Sequence, residues 1–285
     1  MKLLFTINSI IFLPLILIMT LSNTVFGADL GIITPIDLTK ENSWIILDCR
    51  PAKLYNKNHL PTALLFSWED FTETDQGGVK YRILPPDELA EKLGKLGMSE
   101  KSKIVLYGDA DKSWGGEGWG AWLFTWLGHQ GPVLLLDGGI SAWKEAELPM
   151  EKGGQREIKK TAYSVDLKSG ANITVQELLD HGDQYIIIDV RSSLEWLRGH
   201  VPDAIHISWK KFYQGPNRRP LSSEQLKKML AGHGVNLDKP VIYYCTGGIR
   251  SGYAWLVHEL SGLGMAKNFE GGIEAWNKLA PPSFK

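Results

Sequence analysis

The chain has 285 residues, 44% of them hydrophobic and 22% charged, which suffices for two cores of ordinary domain size and excludes a disordered, collagen-like or disulfide-stapled protein. Its 31 basic and 32 acidic side chains leave a formal net charge of -1, so no bulk electrostatic pull toward nucleic acid or anionic lipid exists. Two cysteines, Cys49 and Cys245, are too few for a disulfide framework.

The first stretch carries one early positive charge, Lys2, then an apolar run broken by Pro14, then Val25 and Gly27 at the positions a signal peptidase prefers to find small. Residues 1–27 therefore read as a signal peptide, and the protein is expected to be secreted or periplasmic, with no membrane attachment after cleavage. The alternative is an uncleaved anchor, since about 20 apolar residues just span a bilayer.

After it comes a repeat. WIILDCRPAKLYNKNHLPTALLF, from Trp44, aligns without a gap with YIIIDVRSSLEWLRGHVPDAIHI, from Tyr185; Asp48 falls on Asp189, Arg50 on Arg191, His59 on His200 and Pro61 on Pro202. The ends of the copies match as well, LLDGGISAW with NFEGGIEAW. Internal self-similarity fixes architecture before any local reading does. The expected domains are 31–150 and 171–285, joined by a polar, glycine-containing linker over 151–170.

Within each copy, short apolar runs bounded by turn residues (IIL, KIVLY and PVLLL, then IIID and PVIYY) read as strands. They alternate with helical patterns in which Leu89 and Leu93, or Leu226 and Leu230, stand four apart. Alternation of this kind implies an α/β fold: two tandem domains, each a mostly parallel sheet flanked by helices.

In the first copy the segment KIVLYGDADKSWGGEGWGAWLF sets Gly108 opposite Cys245 of the second. The loop is also four residues longer and carries Asp109, Asp111 and Glu117, which would repel anions. Cys49 aligns with Val190 and reads as a small apolar residue, so a bridge between the two cysteines is not expected. This copy is expected to be inactive.

In the second copy, PVIYYCTGGIRSGYAWLVHEL places Cys245 at the end of a strand, followed by a glycine-containing loop and a helix. Ligands bind open α/β sheets at the carboxyl ends of strands. Gly247 and Gly248 let the backbone curl so that the N–H groups of Thr246, Gly247, Gly248, Ile249 and Arg250 converge on one point at the positive end of the helix dipole. A cysteine beside such a nest, with Arg250 near, reads as an activated nucleophile rather than an inert thiol.

On these residues the chain resembles the rhodanese family in its two-domain form, over nearly all of the sequence after residue 27. CTGGIR, 245–250, is similar to the family's active-site loop; IDVR holds its Asp-x-Arg strand end; GHVPDA holds its GH-x-P-x-A signature; FEGGIEAW is similar to its ending. The resemblance implies that Cys245 carries sulfur, that Thr246, Gly247, Gly248, Ile249, Arg250 and Arg191 bind substrate, and that Asp189 and Ser251 give structural support. Asp189 and Arg191 read more as loop pins than as substrate contacts, and His200 more as a structural residue than as a general base. Arg218 and Arg219 read as an exposed basic turn, with assistance to an anionic substrate as the alternative; Trp209 and Trp255 read as core.

The implied reaction is a double displacement. The Cys245 thiolate takes the sulfane sulfur of thiosulfate or a related small anionic donor, and the persulfide passes it to cyanide or a thiol acceptor, with no metal and no organic cofactor. The silent first copy would shape one wall of the pocket. Rival readings are a non-enzymatic persulfide carrier serving a protein sulfur acceptor, a 3-mercaptopyruvate-specific enzyme, and a phosphatase. The first of these differs in slow turnover, the second typically has a CG-x-G-x-T loop, and the third needs five residues between cysteine and arginine where this chain has four. Glu195 departs from the arginine that two-domain thiosulfate enzymes often place there.

Overall fold

The computed structural model describes residues 28–155 and 157–281. The segment read as a signal peptide lies outside the described residues. The first domain runs β1 (Asp29–Ile33), α1 (Pro35–Leu38), β2 (Ile45–Asp48), α2 (Ala52–Lys57), β3 (Leu64–Leu65), β4 (Thr72–Glu73), β5 (Arg82–Ile83), α3 (Pro86–Lys95), β6 (Ile104–Tyr107), α4 (Gly116–Trp126), β7 (Pro132–Leu136) and α5 (Gly139–Glu145). The second runs α6 (Val175–His181), β8 (Ile186–Asp189), α7 (Ser193–Leu197), β9 (Ile205–His206), β10 (Tyr213–Gln214), β11 (Arg219–Pro220), α8 (Ser223–Gly232), β12 (Val241–Tyr244), α9 (Ile249–Ser261), β13 (Ala266–Asn268) and α10 (Gly272–Leu279).

Each domain is built on a parallel sheet, in the order β1-β7-β6-β2-β3 and β13-β12-β8-β9. The central strands IVLY and VIYY are buried along their whole length, the signature of strands covered on both faces. Parallel pairing puts all carboxyl ends on one edge, so Cys245, Val190 and Asn268 stand close together. The copies differ at the outer edge: β1 has no strand counterpart in the second domain, where Asn172 makes a single parallel bridge to Asn268.

The described residues between 151 and 168 lie along the first domain. Glu151 bridges to His59, Thr161 N–H donates to Gly94 O at 3.0 Å, and Lys168 N–H to Trp126 O at 2.8 Å. Gly94 admits this path because a Cβ there would stand 2.5 Å from Thr161 O.

The domains meet through α4 and α9. A Cβ on Gly118 would lie 2.3 Å from Tyr253 Cα, and one on Gly252 2.7 Å from Trp119 Cα, so the two helix backbones touch. Around the crossing, Trp119, Trp122, Trp209, Tyr253 and Trp255 join both sheets into one core. Two hairpins then exchange sides. The β4–β5 hairpin of the first domain sets Arg82 on Glu270 at 3.1 Å, and the β10–β11 hairpin of the second sets Arg219 on Asp137 and Arg218 on Asp111, the latter at 2.7 Å. Arg218 and Arg219 are thus not a free basic turn: ion pairing to the first domain's carboxylates holds them at the interface.

In an exposed helix, Gly→Ala is favourable by about 1 kcal/mol. At the crossing the backbone contact reverses the sign. Gly118→Ala is expected to lower stability by about 1–3 kcal/mol in urea unfolding.

Candidate active site

Cys245 follows β12 directly and its residue is 1% exposed. Gly248, left-handed at φ 95, caps α9 and turns its N–H onto the Cys245 sulfur at 3.2 Å. Among the described residues, the N–H groups of Thr246, Gly247, Ile249 and Arg250 donate to no protein acceptor. Ile273 N–H holds Cys245 O at 2.9 Å and Glu274 N–H holds Thr246 O at 3.2 Å, which fixes the outer side of the loop. Its inner side is fixed by Asn268, which donates to Gly248 O at 3.0 Å and accepts from Ser251 Oγ at 2.6 Å. Ser251 therefore stands in a supporting position, and Asn268, which sequence reasoning passed over, is its partner.

Arg250 is not open to an incoming anion. Its guanidinium meets the Glu195 carboxylate with two bonds, 2.9 Å and 2.7 Å, and also touches Thr246 Oγ1 at 2.7 Å. Glu195 is the third helical residue of α7 and closes a capping box with Ser192, so one carboxylate ties the loop after β8 to the cysteine loop. The Arg250 bond holds the Glu195 carboxyl well below the usual carboxylate range. Burial works against the guanidinium's charge, but Glu195 and the Cys245 sulfur keep Arg250 charged.

Arg191 departs from the substrate-binding set expected of it. Its Nε and Nη2 bond to Asp189, and Nη2 reaches Gly199 O at 2.6 Å. Arg50 does the same in the first domain, with Asp48 and Asn58 O at 2.6 Å. A clamp that recurs in the copy without a cysteine serves the fold; leaving either buried charge unpaired costs about 3–5 kcal/mol. His200 stacks on Trp196, and His59 on Tyr55, both bonded through Nδ1 to a carbonyl four residues back, which marks both as structural. Trp255 donates to Ala266 O inside the core.

The first domain supplies the facing side of the site. A Cβ on Gly247 would meet Tyr81 Cβ at 2.3 Å, so this tyrosine lies directly on the cysteine loop. Trp114, in the lengthened loop of the first domain, stands over the Arg250 guanidinium, 5.8 Å from its ring centre, and is 53% exposed. Tyr81 and Trp114 have φ 62 and 55, a left-handed conformation uncommon for bulky residues. Nothing in their local sequence pattern signals either contact.

At the equivalent point of the first domain the carboxylates form no anion-repelling patch. Asp109 pairs with Lys112, Asp111 with Arg218, and Glu117 is buried. Glu117 and Arg250 are each the second residue of their helix, α4 and α9, after a left-handed glycine. The Glu117 carboxylate folds back, bonded by Ser113 Oγ at 2.6 Å, into the space a side chain on residue 108 would need: a Cβ on Gly108 would lie 2.2 Å from it. Cys49 is buried below, and burial raises its thiol pKa well above the ordinary value. Both cysteines are free.

Among the described residues no three His, Cys, Asp or Glu side chains gather as a metal cage, and no helix is long and apolar enough to cross a membrane.

Two copies of a parallel-sheet domain, with a cysteine loop at one of two equivalent strand ends, define a tandem-domain rhodanese architecture. The model of the rhodanese-like domain matches residues 36–146 and again 173–279, and the chain belongs to the rhodanese family. It is 28% identical over 251 residues to the sulfur carrier protein TtuD of Thermus thermophilus, covering 79% of this chain and 85% of that protein. It is 23% identical over 247 residues to the 3-mercaptopyruvate sulfurtransferase of Escherichia coli, covering 82% and 85%. A crystal structure of the E. coli enzyme SseA has the same fold, with a TM-score of 0.75 and 21% identity over 85% of this chain and 97% of that one. Several of the similar proteins are named sulfurtransferases.

Burial pushes the Glu117 carboxyl up to about 7. The unfolded chain loses this proton near the ordinary value of 4.5 and the folded chain only near 7, so stability present below pH 4.5 declines as pH rises to 7. Glu117→Gln, which keeps an acceptor for Ser113, is expected to raise stability at pH 8 by about 1–3 kcal/mol and to flatten the stability profile between the two values, read by urea unfolding across pH.

Proposed function

We propose that the chain is a sulfurtransferase that moves sulfane sulfur from thiosulfate or a related donor to cyanide or a thiol through a persulfide on Cys245. One observation carries this reading: the Cys245 sulfur receives the Gly248 N–H at 3.2 Å, at the start of a thirteen-residue helix, with further N–H groups of the loop left to receive charge. An anionic outer sulfur on Cys245 would be held by the N–H groups of Thr246, Gly247, Gly248, Ile249 and Arg250, which act without reorganisation at the moment of transfer.

The Cys245 thiolate attacks the outer sulfur of thiosulfate; an S–S bond to Cys245 forms, the bond to the sulfonate sulfur breaks with its electron pair, and sulfite leaves. An acceptor thiolate or cyanide then attacks the outer persulfide sulfur and regenerates the Cys245 thiolate. Asp189 and Ser251 support the loop, Tyr81 and Trp114 wall it, and Arg250 borders it.

A second reading is a persulfide carrier that hands sulfur to a partner protein. It is favoured by the similarity to a protein named a sulfur carrier. Incubation with thiosulfate and cyanide separates the two: thiocyanate turnover with an intact-mass gain of about 32 Da supports the enzyme, and a mass gain without turnover supports the carrier. Cys245→Ser is expected to abolish both signals, and persistence of either in that variant would remove Cys245 from the mechanism.

The N-terminal pattern supports an extracytoplasmic site of action. Expressed with its own first 27 residues, the protein is expected in the exported fraction with an N-terminus at Ala28, checked by N-terminal sequencing.

A further inference from the structure

We propose that Glu195 sets donor preference: by engaging Arg250 it takes from the cysteine loop the positive charge a dianionic donor would use, and so favours persulfide donors of lower charge. The inference rests on the sulfur-transfer reading. The Glu195 carboxylate accepts five hydrogen bonds. Oε1 takes Thr246 Oγ1 at 3.0 Å and Arg250 Nη2 at 2.7 Å; Oε2 takes Arg250 Nη1 at 2.9 Å, Ser192 N–H at 3.0 Å and Ser192 Oγ at 2.6 Å. Both edges of the pair are fixed, and a fork-to-fork geometry of this kind is the strongest ion-pair arrangement side chains make. Trp114 stands over the guanidinium.

Arg191, after β8, and Arg82, on the first domain's hairpin, are also engaged by carboxylates, Asp189 and Glu270. A dianion drawn from water into this buried place loses much of its hydration and finds backbone N–H dipoles and a neutralised arginine. A hydropersulfide, R–S–SH, brings at most one charge to the same dipoles. Transfer from it balances: the Cys245 thiolate attacks the outer sulfur, the Sγ–S bond forms, the donor S–S bond breaks, and R–S⁻ leaves while the outer sulfur keeps its proton.

Glu195→Gln and Glu195→Ala test the idea with thiosulfate and with an uncharged alkyl hydropersulfide as donors and cyanide as acceptor. With Glu195 neutralised, kcat/KM for thiosulfate is expected to rise about tenfold, mostly through KM, and to become sensitive to salt between about 0.02 and about 0.2 M. The hydropersulfide value is expected to move less than about twofold. Thiosulfate values that stay level or fall in both variants, with cooperative unfolding retained, would overturn the proposal. Should neither variant fold, the wild type decides: a kcat/KM for thiosulfate flat in salt supports the lock, and a steep fall overturns it. Absence of a Cys245 persulfide from either donor, in every form of the protein, would instead remove the sulfur-transfer reading itself.

Discussion

The crossing of α4 and α9 is the constraint on which the rest depends. Because Gly118 and Gly252 present no side chain, the helices approach to backbone contact. Each helix begins at the loop that follows the central strand of its sheet. Backbone contact near the helix starts therefore turns the two loops toward one another, and residues of a domain without a nucleophile become the wall of the domain that has one. Tyr81 on Gly247 and Trp114 over Arg250 are consequences of that approach.

The exchanged hairpins repeat the same logic at longer range. Arg82 reaches a carboxylate that precedes the paired glycines of the second domain, Glu270, and Arg219 reaches the equivalent Asp137 of the first. Arg82 helps stabilise the Glu270 carboxylate, which burial otherwise drives toward its neutral form. Both contacts fasten a loop adjoining a strand end. The first domain thus acts on the cysteine loop through packing, ion pairs, the Ile83 N–H bond to Glu270 at 2.9 Å and the Trp114 ring, and Cys245 is sheltered from solvent in a place where one carboxylate, Glu195, governs the local charge.

Much of this was legible in the amino-acid sequence wherever the signal was local or repeated. The alignment of the two copies carried the domain architecture, and the run of buried-type residues before Cys245, with glycines after it, carried the strand, the left-handed cap and the helix. Contacts between distant segments were not legible. Glu195 meets Arg250 across 55 positions, and its Ser-x-x-Glu capping pattern with Ser192 announces a helix start without saying what else the carboxylate will hold. For Arg191 the family resemblance implied a substrate contact, whereas the residues themselves read as a loop pin; the Asp-x-Arg pattern fixes which residues stand at the strand end, not which way a long side chain turns, and recurrence of the pattern in the cysteine-free copy was the clue to the clamp. The aligned repeats also held an unread signal, since Arg82 and Arg219 occupy equivalent places, as do Glu270 and Asp137. The single bridge at Asn172, where the first domain has a full strand, reflects tertiary context that no short pattern encodes.

Glu117 decides what position 108 can hold. With its carboxylate seated 2.2 Å from where a Cβ on residue 108 would stand, a cysteine at that position would displace the Glu117 side chain from its bond with Ser113. Removal of the glutamate alone would open an unfilled space in the core beside Ser113 and Tyr253. The two positions are therefore coupled, and a nucleophile at this strand end requires both to change together. What the first domain offers the site is instead the surface it presents to its neighbour, the lengthened loop with Trp114 included.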